Sequence, residues 1–202
     1  MLFENDYWFF KGHLPPKICD EIVSYALSKK EQEGATGTPT ESTSEKERKK
    51  IRQSNVVWLD DRWIYDILQS YVKTANQNAN WNFDWDWSEK IQFTKYKLNQ
   101  FYDWHQDAWD KPYPKSFGPN QAGKVRKLSI VITLVDGSEY EGGDLEMNFR
   151  HKSKVDEIKT INEIRPKGSV IVFPSYIFHR VTPVTKGTRY SLVNWNLGFP
   201  FR

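Results

Sequence analysis

Beyond Asn80 the chain breaks into short apolar runs, and this rhythm limits the architectures open to it. Ile91 to Leu98, Leu128 to Val135, Leu145 to Phe149, Val170 to Phe173 and Arg189 to Leu197 all have strand length, with Gly and Pro turns between them. Trp81, Phe83, Trp85 and Trp87 alternate with Asn82, Asp84 and Asp86, the period-2 pattern of a half-buried strand. Ahead of Asn80 the period changes. Leu14 to Lys29 opens on Pro15 and Pro16 and carries Ile18, Ile22, Val23, Tyr25, Ala26 and Leu27 on one broad stripe, which predicts a first helix. Val56 to Leu59 reads as a strand, after which Asp60 or Asp61 caps a helix running through Trp63, Ile64, Ile67, Leu68 and Tyr71. Helices followed by many short strands indicate an α+β chain built around a β-sandwich or barrel.

Aromatic residues make up 15% of the chain, a supply suited to sheet faces and ligand pockets. No apolar run approaches the roughly eighteen residues that a membrane helix needs. Glu4 and Asp6 stand where a secretory signal would be basic and then apolar, so a soluble cytoplasmic protein with no membrane partner is expected. The single cysteine, Cys19, excludes an intrachain disulfide and a thiolate metal cluster. A net charge of +3 is too mild to indicate nucleic acid. Any metal site must draw on His13, His105, His151, His179 and carboxylates, which points away from structural zinc. Lys30 to Lys50 is almost wholly polar and reads as a mobile surface loop.

Three constellations bear on chemistry. In an extended segment the i, i+2 pair His105 and Asp107 points to one side and can meet one metal ion. His179, after the break at Pro174-Ser175, would add a second imidazole from a facing strand. Two His and one carboxylate hold non-haem Fe(II) with open positions, but zinc hydrolases use the same set, so the triad alone leaves the metal undecided. Beyond His179 and the turn at Lys186-Gly187, Arg189, Ser191, Val193 and Trp195 would share one strand face. A guanidinium beside a hydroxyl is a matched receptor for a carboxylate.

With these pieces in order, the sequence resembles the Fe(II)/2-oxoglutarate-dependent oxygenases, and within them the prolyl 4-hydroxylase-like branch of small bacterial and viral type. The resemblance covers Gln92 to Trp195, with a fainter echo at Arg52-Gln53-Ser54 and Trp58. It rests on Tyr96, Tyr102, His105 and Asp107, on Arg126-Lys127-Leu128-Ser129, and on Glu141-Gly142-Gly143-Asp144-Leu145. Gly168, Phe173-Pro174, His179, Val181, Pro183-Val184, Gly187, Arg189 and Trp195 complete it. The resemblance implies one domain over 1-202: a double-stranded β-helix (jelly roll) at 81-202, with helical support packed outside it at 1-80. It implies Fe(II) on His105, Asp107 and His179, and 2-oxoglutarate on Arg189, with Tyr96, Thr133 and Ser191 lining its pocket. O2 would be consumed, ascorbate would support turnover, and 2-oxoglutarate would be decarboxylated to succinate. Asp107 favours hydroxylation, since related halogenases carry a small residue there. Asn99 stands where the family's Tyr-x-x-Gly pattern has glycine, and Thr133 where some prolyl hydroxylases have tyrosine.

A proline-containing peptide or protein is the expected substrate. Trp109, Tyr113 and Trp195, with Tyr102, would contact it, and Ala108 to Lys124 would act as its lid. A small-molecule or free amino-acid hydroxylase is the alternative within the family. A nucleic-acid demethylase is a weaker one, because Lys124, Arg126 and Lys127 form a small basic patch but Asn194 and Trp195 replace that branch's second arginine. A non-enzymatic jelly-roll binding module is the reading outside it. Oligomeric state is left open.

Overall fold

The computed structural model describes residues 4–34, 44–149 and 156–201. The first half comprises β1 (Trp8–Phe10), α1 (Pro16–Leu27), β2 (Gln32–Glu33), α2 (Glu45–Ile51), β3 (Arg52–Gln53), β4 (Asn55–Leu59), α3 (Arg62–Asn78), β5 (Trp87–Ser88), β6 (Ile91–Tyr96) and β7 (Phe101–His105). Then come β8 (Val125–Thr133), β9 (Tyr140–Gly142), β10 (Leu145–Asn148), β11 (Ile158–Thr160), β12 (Val170–Pro174), β13 (Phe178–Val181), β14 (Val184–Gly187) and β15 (Arg189–Gly198). Antiparallel strands form a large sheet in the order β1-β12-β8-β15-β6-β4-β2, with β5 on β15, and a smaller one in the order β11-β10-β13-β7-β3. The two are the halves of a double-stranded β-helix, and the chain is α+β.

The large sheet is buried on both faces, which is why β8 reads as a continuous apolar run. Val131, Ile171 and Phe173 meet Leu145 and Met147 of the small sheet. Ile130, Ile132, Val170 and Leu192 pack on the opposite side against Ile22 of α1 and Ile64, Leu68, Val72 and Ala75 of α3. The buried positions of α3 recur every three or four residues, so one apolar stripe covers the sheet. Asp61 stands at the N-cap of α3, but its side chain makes no cap hydrogen bond; its carboxylate accepts from the Tyr25 hydroxyl at 2.7 Å instead. Among the described residues no helix is long and apolar enough to cross a membrane.

The structure differs from the sequence expectation in three places. Trp81 to Asp86 is not a strand. Asn76 in the last turn of α3 brackets Phe83, accepting from its N–H and donating to its carbonyl, both at 3.0 Å, while Asn80 and Asn82 take φ of 56° and 52°. This curls the chain beneath the helix, and the aromatic alternation survives because Trp81 and Phe83 enter the helix-side core. The polar stretch Lys30 to Lys50 is not loop throughout: β2 pairs with β4, and α2 begins at Glu45. Ser44 and Glu47 form a capping box there, each backbone N–H donating to the other's side chain. Residues 35–43 of that stretch lie outside the described residues. Finally, the segment before Asn80 is more than helical support, because β1, β2, β3 and β4 extend the edges of both sheets.

Candidate active site

In the small sheet, β13 and β7 pair so that His179 lies directly opposite His105, their ring centroids 4.1 Å apart. Asp107 follows in a bend just past the end of β7 rather than within the strand, yet its carboxylate reaches both imidazoles. Oδ1 lies 3.7 Å from His105 Nε2 and Oδ2 lies 3.6 Å from His179 Nε2. One donor atom from each residue falls within 4.8 Å of the others, and the three side chains form the only such His/Cys/Asp/Glu cluster among the described residues.

The two imidazoles are held by their far sides, and the carboxylate by a neighbouring hydroxyl. His105 Nδ1 is 2.7 Å from the Asp103 carbonyl and His179 Nδ1 is 2.9 Å from the Ile177 carbonyl. A carbonyl only accepts, so both Nδ1 atoms carry the proton and both Nε2 lone pairs face the cluster. Ser129 on β8 donates to Asp107 Oδ2 at 2.7 Å and meets Ser175 Oγ at 2.9 Å. Gln106 points the other way and donates to the Tyr176 carbonyl, tying the end of β7 to the segment that carries His179. Tyr102 stacks on His105 at 3.5 Å between ring centroids. Burial first, and then the facing His179, holds the His105 imidazole well below its usual value of 6.5. Burial alone would raise Asp107, but His179, His105, Arg126 and the Ser129 hydrogen bond outweigh it and hold the carboxyl below the usual carboxylate range. A neutral His105 imidazole and an ionised Asp107 carboxylate therefore face one another across the cluster.

The large sheet supplies a second polar group. Arg189 pairs with Tyr96, and Ser191 lies between Thr94 and Thr133, which sets Tyr96, Thr133, Arg189 and Ser191 in one neighbourhood. Arg189 is 2% exposed and has no carboxylate within 4.0 Å among the described residues. Its Nη1 donates to Ser191 Oγ at 3.3 Å, and the guanidinium sits 5.6 Å from the Tyr96 ring centroid. Thr133 Oγ1 is buried with no hydrogen-bond partner among the described residues. Gly143, at φ 60°, leaves room for the arginine, since a Cβ there would lie 3.1 Å from Arg189 Cδ. Burial pushes the Tyr96 hydroxyl up despite Arg52 and Arg189, and the Tyr102 hydroxyl up to about 12, so both remain donors. Asn99 takes φ 64°, the left-handed conformation that the glycine it replaces would supply, so the turn after Tyr96 is kept.

The expected substrate contacts divide. Tyr113 is 4% exposed and donates its hydroxyl to Glu89 Oε1 at 2.5 Å, packed with Trp195 and Leu197, so it is a core anchor and not a free contact. Trp195 is likewise buried, against the Arg126 guanidinium at 4.1 Å and next to the exposed Trp58. Trp109 is half-buried with its ring centroid 5.0 Å from the Arg126 guanidinium, and Tyr102 half-buried on His105. The segment Ala108 to Lys124 is folded on itself through Tyr113–Lys124 and Gly123–Tyr113 backbone bonds, both 2.9 Å. The basic patch is absent. Lys124 pairs with Asp86, Arg126 makes a bidentate pair with Glu89 at 2.6 and 2.7 Å, and Lys127 is buried.

A sequence profile of the 2OG-Fe(II) oxygenase superfamily matches residues 91–196, the stretch that carries both polar groups. The chain belongs to this superfamily. The donor set His105, Asp107 and His179 fits Fe(II), and the carboxylate-free Arg189 with the unpartnered Thr133 hydroxyl fits 2-oxoglutarate. The PKHD-type hydroxylase YbiX of Escherichia coli (strain 55989 / EAEC) is 32% identical over 139 residues, 65% of this chain and 55% of that one. The chain spans about half the length of the curated relatives it matches. Two solved structures share the fold. A viral collagen prolyl hydroxylase from Paramecium Bursaria Chlorella virus-1, solved with 2OG, has a TM-score of 0.64 at 20% identity, covering 96% of this chain and 97% of that one. A prolyl hydroxylase from Trichoplax adhaerens, in complex with a hypoxia inducible factor peptide fragment, has a TM-score of 0.63 at 17% identity, covering 96% and 84%.

Proposed function

We propose that the chain is a dioxygenase that hydroxylates proline in a peptide or protein, coupled to decarboxylation of 2-oxoglutarate to succinate and carbon dioxide. What carries this reading is the adjacency of the two polar groups. Arg189 lies over Tyr96, Tyr96 packs with Tyr102, and Tyr102 stacks on His105, so one line of contacts joins a carboxylate receptor to a metal cluster. We read residues 1–202 as one catalytic unit, since the early strands extend both sheets.

In this reading His105, Asp107 and His179 hold Fe(II), with their outward bonds to Asp103, Ile177 and Ser129 fixing the direction of each donor. Arg189 takes the far carboxylate of 2-oxoglutarate, and Ser191, Thr133 and the Tyr96 hydroxyl supply hydrogen bonds around it. Fe(II) with 2-oxoglutarate and O2 supplies the oxidising chemistry, and ascorbate serves as a supporting reductant. The chain's own share is to orient the reactants and keep water out. Tyr102 covers one face of His105, and Phe173 sets its ring at 67° to His179. A peptide substrate is supported by the kinds of protein that share the fold, one a viral collagen prolyl hydroxylase and one solved with a peptide fragment. Trp58, 41% exposed beside Trp195, is the aromatic surface offered to it, with half-buried Trp109 near by.

The deciding assay incubates the protein with Fe(II), 2-oxoglutarate and proline-containing peptides, with free proline in parallel, and reads the mass. Gain of one oxygen atom on peptidyl proline is the expected result. Turnover of free proline alone would make the chain an amino-acid hydroxylase. Absence of 2-oxoglutarate-dependent succinate with every candidate would leave a binding module.

A further inference from the structure

A cavity of about 910 Å³ is walled by Trp81, Phe83, Trp85, Tyr176, Phe199 and Phe201, and none of its lining residues belongs to the metal cluster or the Arg189 group. Its size falls within the range of small-molecule sites, and such sites are mostly apolar with a few placed polar groups. One placed polar group is Lys127, at the start of β8. The residue is 6% exposed, yet its ammonium has no hydrogen bond and no carboxylate within 4.0 Å among the described residues. Its nearest compensation is the face of Phe201, 4.4 Å from Nζ to the ring centroid.

The other polar groups of the wall do not answer it. The Trp81 indole donates to the Asn5 carbonyl at 2.7 Å and Trp85 to Gln69 Oε1 at 3.2 Å. Asp86 is engaged by Lys124 at 2.6 Å. Asp84 is exposed and makes no ion pair with Lys127. The Lys127 stem is buried while its ammonium lines the cavity with no carboxylate or hydrogen-bond partner among the described residues, so an anion carried into the cavity would supply the missing charge-assisted bond. Burial also depresses the Lys127 ammonium, against the pull of Asp84 and Asp86.

We propose that this cavity is a second binding site, for a small monocarboxylate on an aromatic body. The carboxylate would meet Lys127 and the ring would stack among the aromatic walls. Asp84 disfavours a second negative charge, which separates such a ligand from the dianion 2-oxoglutarate.

Phenylacetate is the probe, added to the full chain and followed by tryptophan emission, since Trp81 and Trp85 line the site, and by ligand-observed NMR. Saturable binding is expected, undisturbed by excess 2-oxoglutarate. Replacing the acid by phenylacetamide, or Lys127 by Met, should weaken it about tenfold or more, because a charge-assisted hydrogen bond is lost. Phe201→Ala, on the exposed tail, removes the cation's aromatic cover and part of the wall, and should weaken binding even if Lys127→Met fails to fold. No saturable binding, equal binding of acid and amide, displacement by 2-oxoglutarate, or an unchanged affinity in the variants would overturn the proposal.

Discussion

At the His105–Asp107–His179 cluster each side chain is already held: two imidazoles through Nδ1 to carbonyls, one carboxylate by Ser129. At the Arg189 end the reverse holds: among the described residues a buried guanidinium donates to one hydroxyl and lies against an aromatic face, and a buried threonine hydroxyl has no hydrogen-bond partner. The first arrangement suits a resident ion, whose ligands must be aimed before it arrives. The second suits a cosubstrate that comes and goes, because its polar groups are satisfied only when it is bound. The contrast separates a template from a receptor within one barrel.

That contrast can be broken by mutation. The largest effect is expected at the template: His105→Ala, Asp107→Ala or His179→Ala should abolish 2-oxoglutarate-dependent succinate formation while circular dichroism stays that of the folded chain. At the receptor, Arg189→Ala should raise the 2-oxoglutarate requirement by on the order of a hundredfold, about 3 kcal/mol of bidentate charge-assisted bonding. Arg189→Lys should recover only part, since an ammonium lacks the fork. Unchanged cosubstrate dependence in both variants would make Arg189 a structural cation. Ser129→Ala should weaken Fe(II) binding by about tenfold to a hundredfold, measured by metal titration, and leave the 2-oxoglutarate requirement at saturating iron unaltered.

The metal-free protein should also lose stability in mild acid. His105 stays neutral in the folded chain well below 6.5, whereas its unfolded imidazole takes up a proton near that value. The unfolded state then binds the extra proton, so stability falls as pH drops from about 7 toward 5. His105→Gln should flatten that slope in thermal melts. Asp107, held low, adds a second loss only as pH falls below 3.8. The smallest effect is expected from Tyr113→Phe, about 1 kcal/mol in urea denaturation for the lost bond to Glu89, with cosubstrate dependence unmoved.

The His105–Asp107 pair was legible in sequence because i and i+2 are local, and the strands of the core were legible from their apolar runs. Placing His179 against His105 needed the register of β13 on β7, which spacing alone does not specify. The Arg126–Glu89 pair joins residues 37 positions apart, and without it Arg126 reads as part of a basic surface patch. Tyr113 likewise reads as a lid aromatic until Glu89 and Trp195 are placed around it. The Trp81–Trp87 alternation misled because Asn76, a polar residue in an amphipathic helix, captures the backbone of Phe83.

Strand β15 has a consequence for how such a protein diversifies. It carries Arg189 near its start and Trp195 near its end, and a strand advances about 3.3 Å per residue, so the two Cα atoms stand roughly 20 Å apart along one rigid rod. Selection at the outer end is thereby insulated from the inner end. Aromatic residues around Trp195 can be exchanged without disturbing the surroundings of Arg189, whereas inserting one residue between them would turn every later side chain to the opposite face.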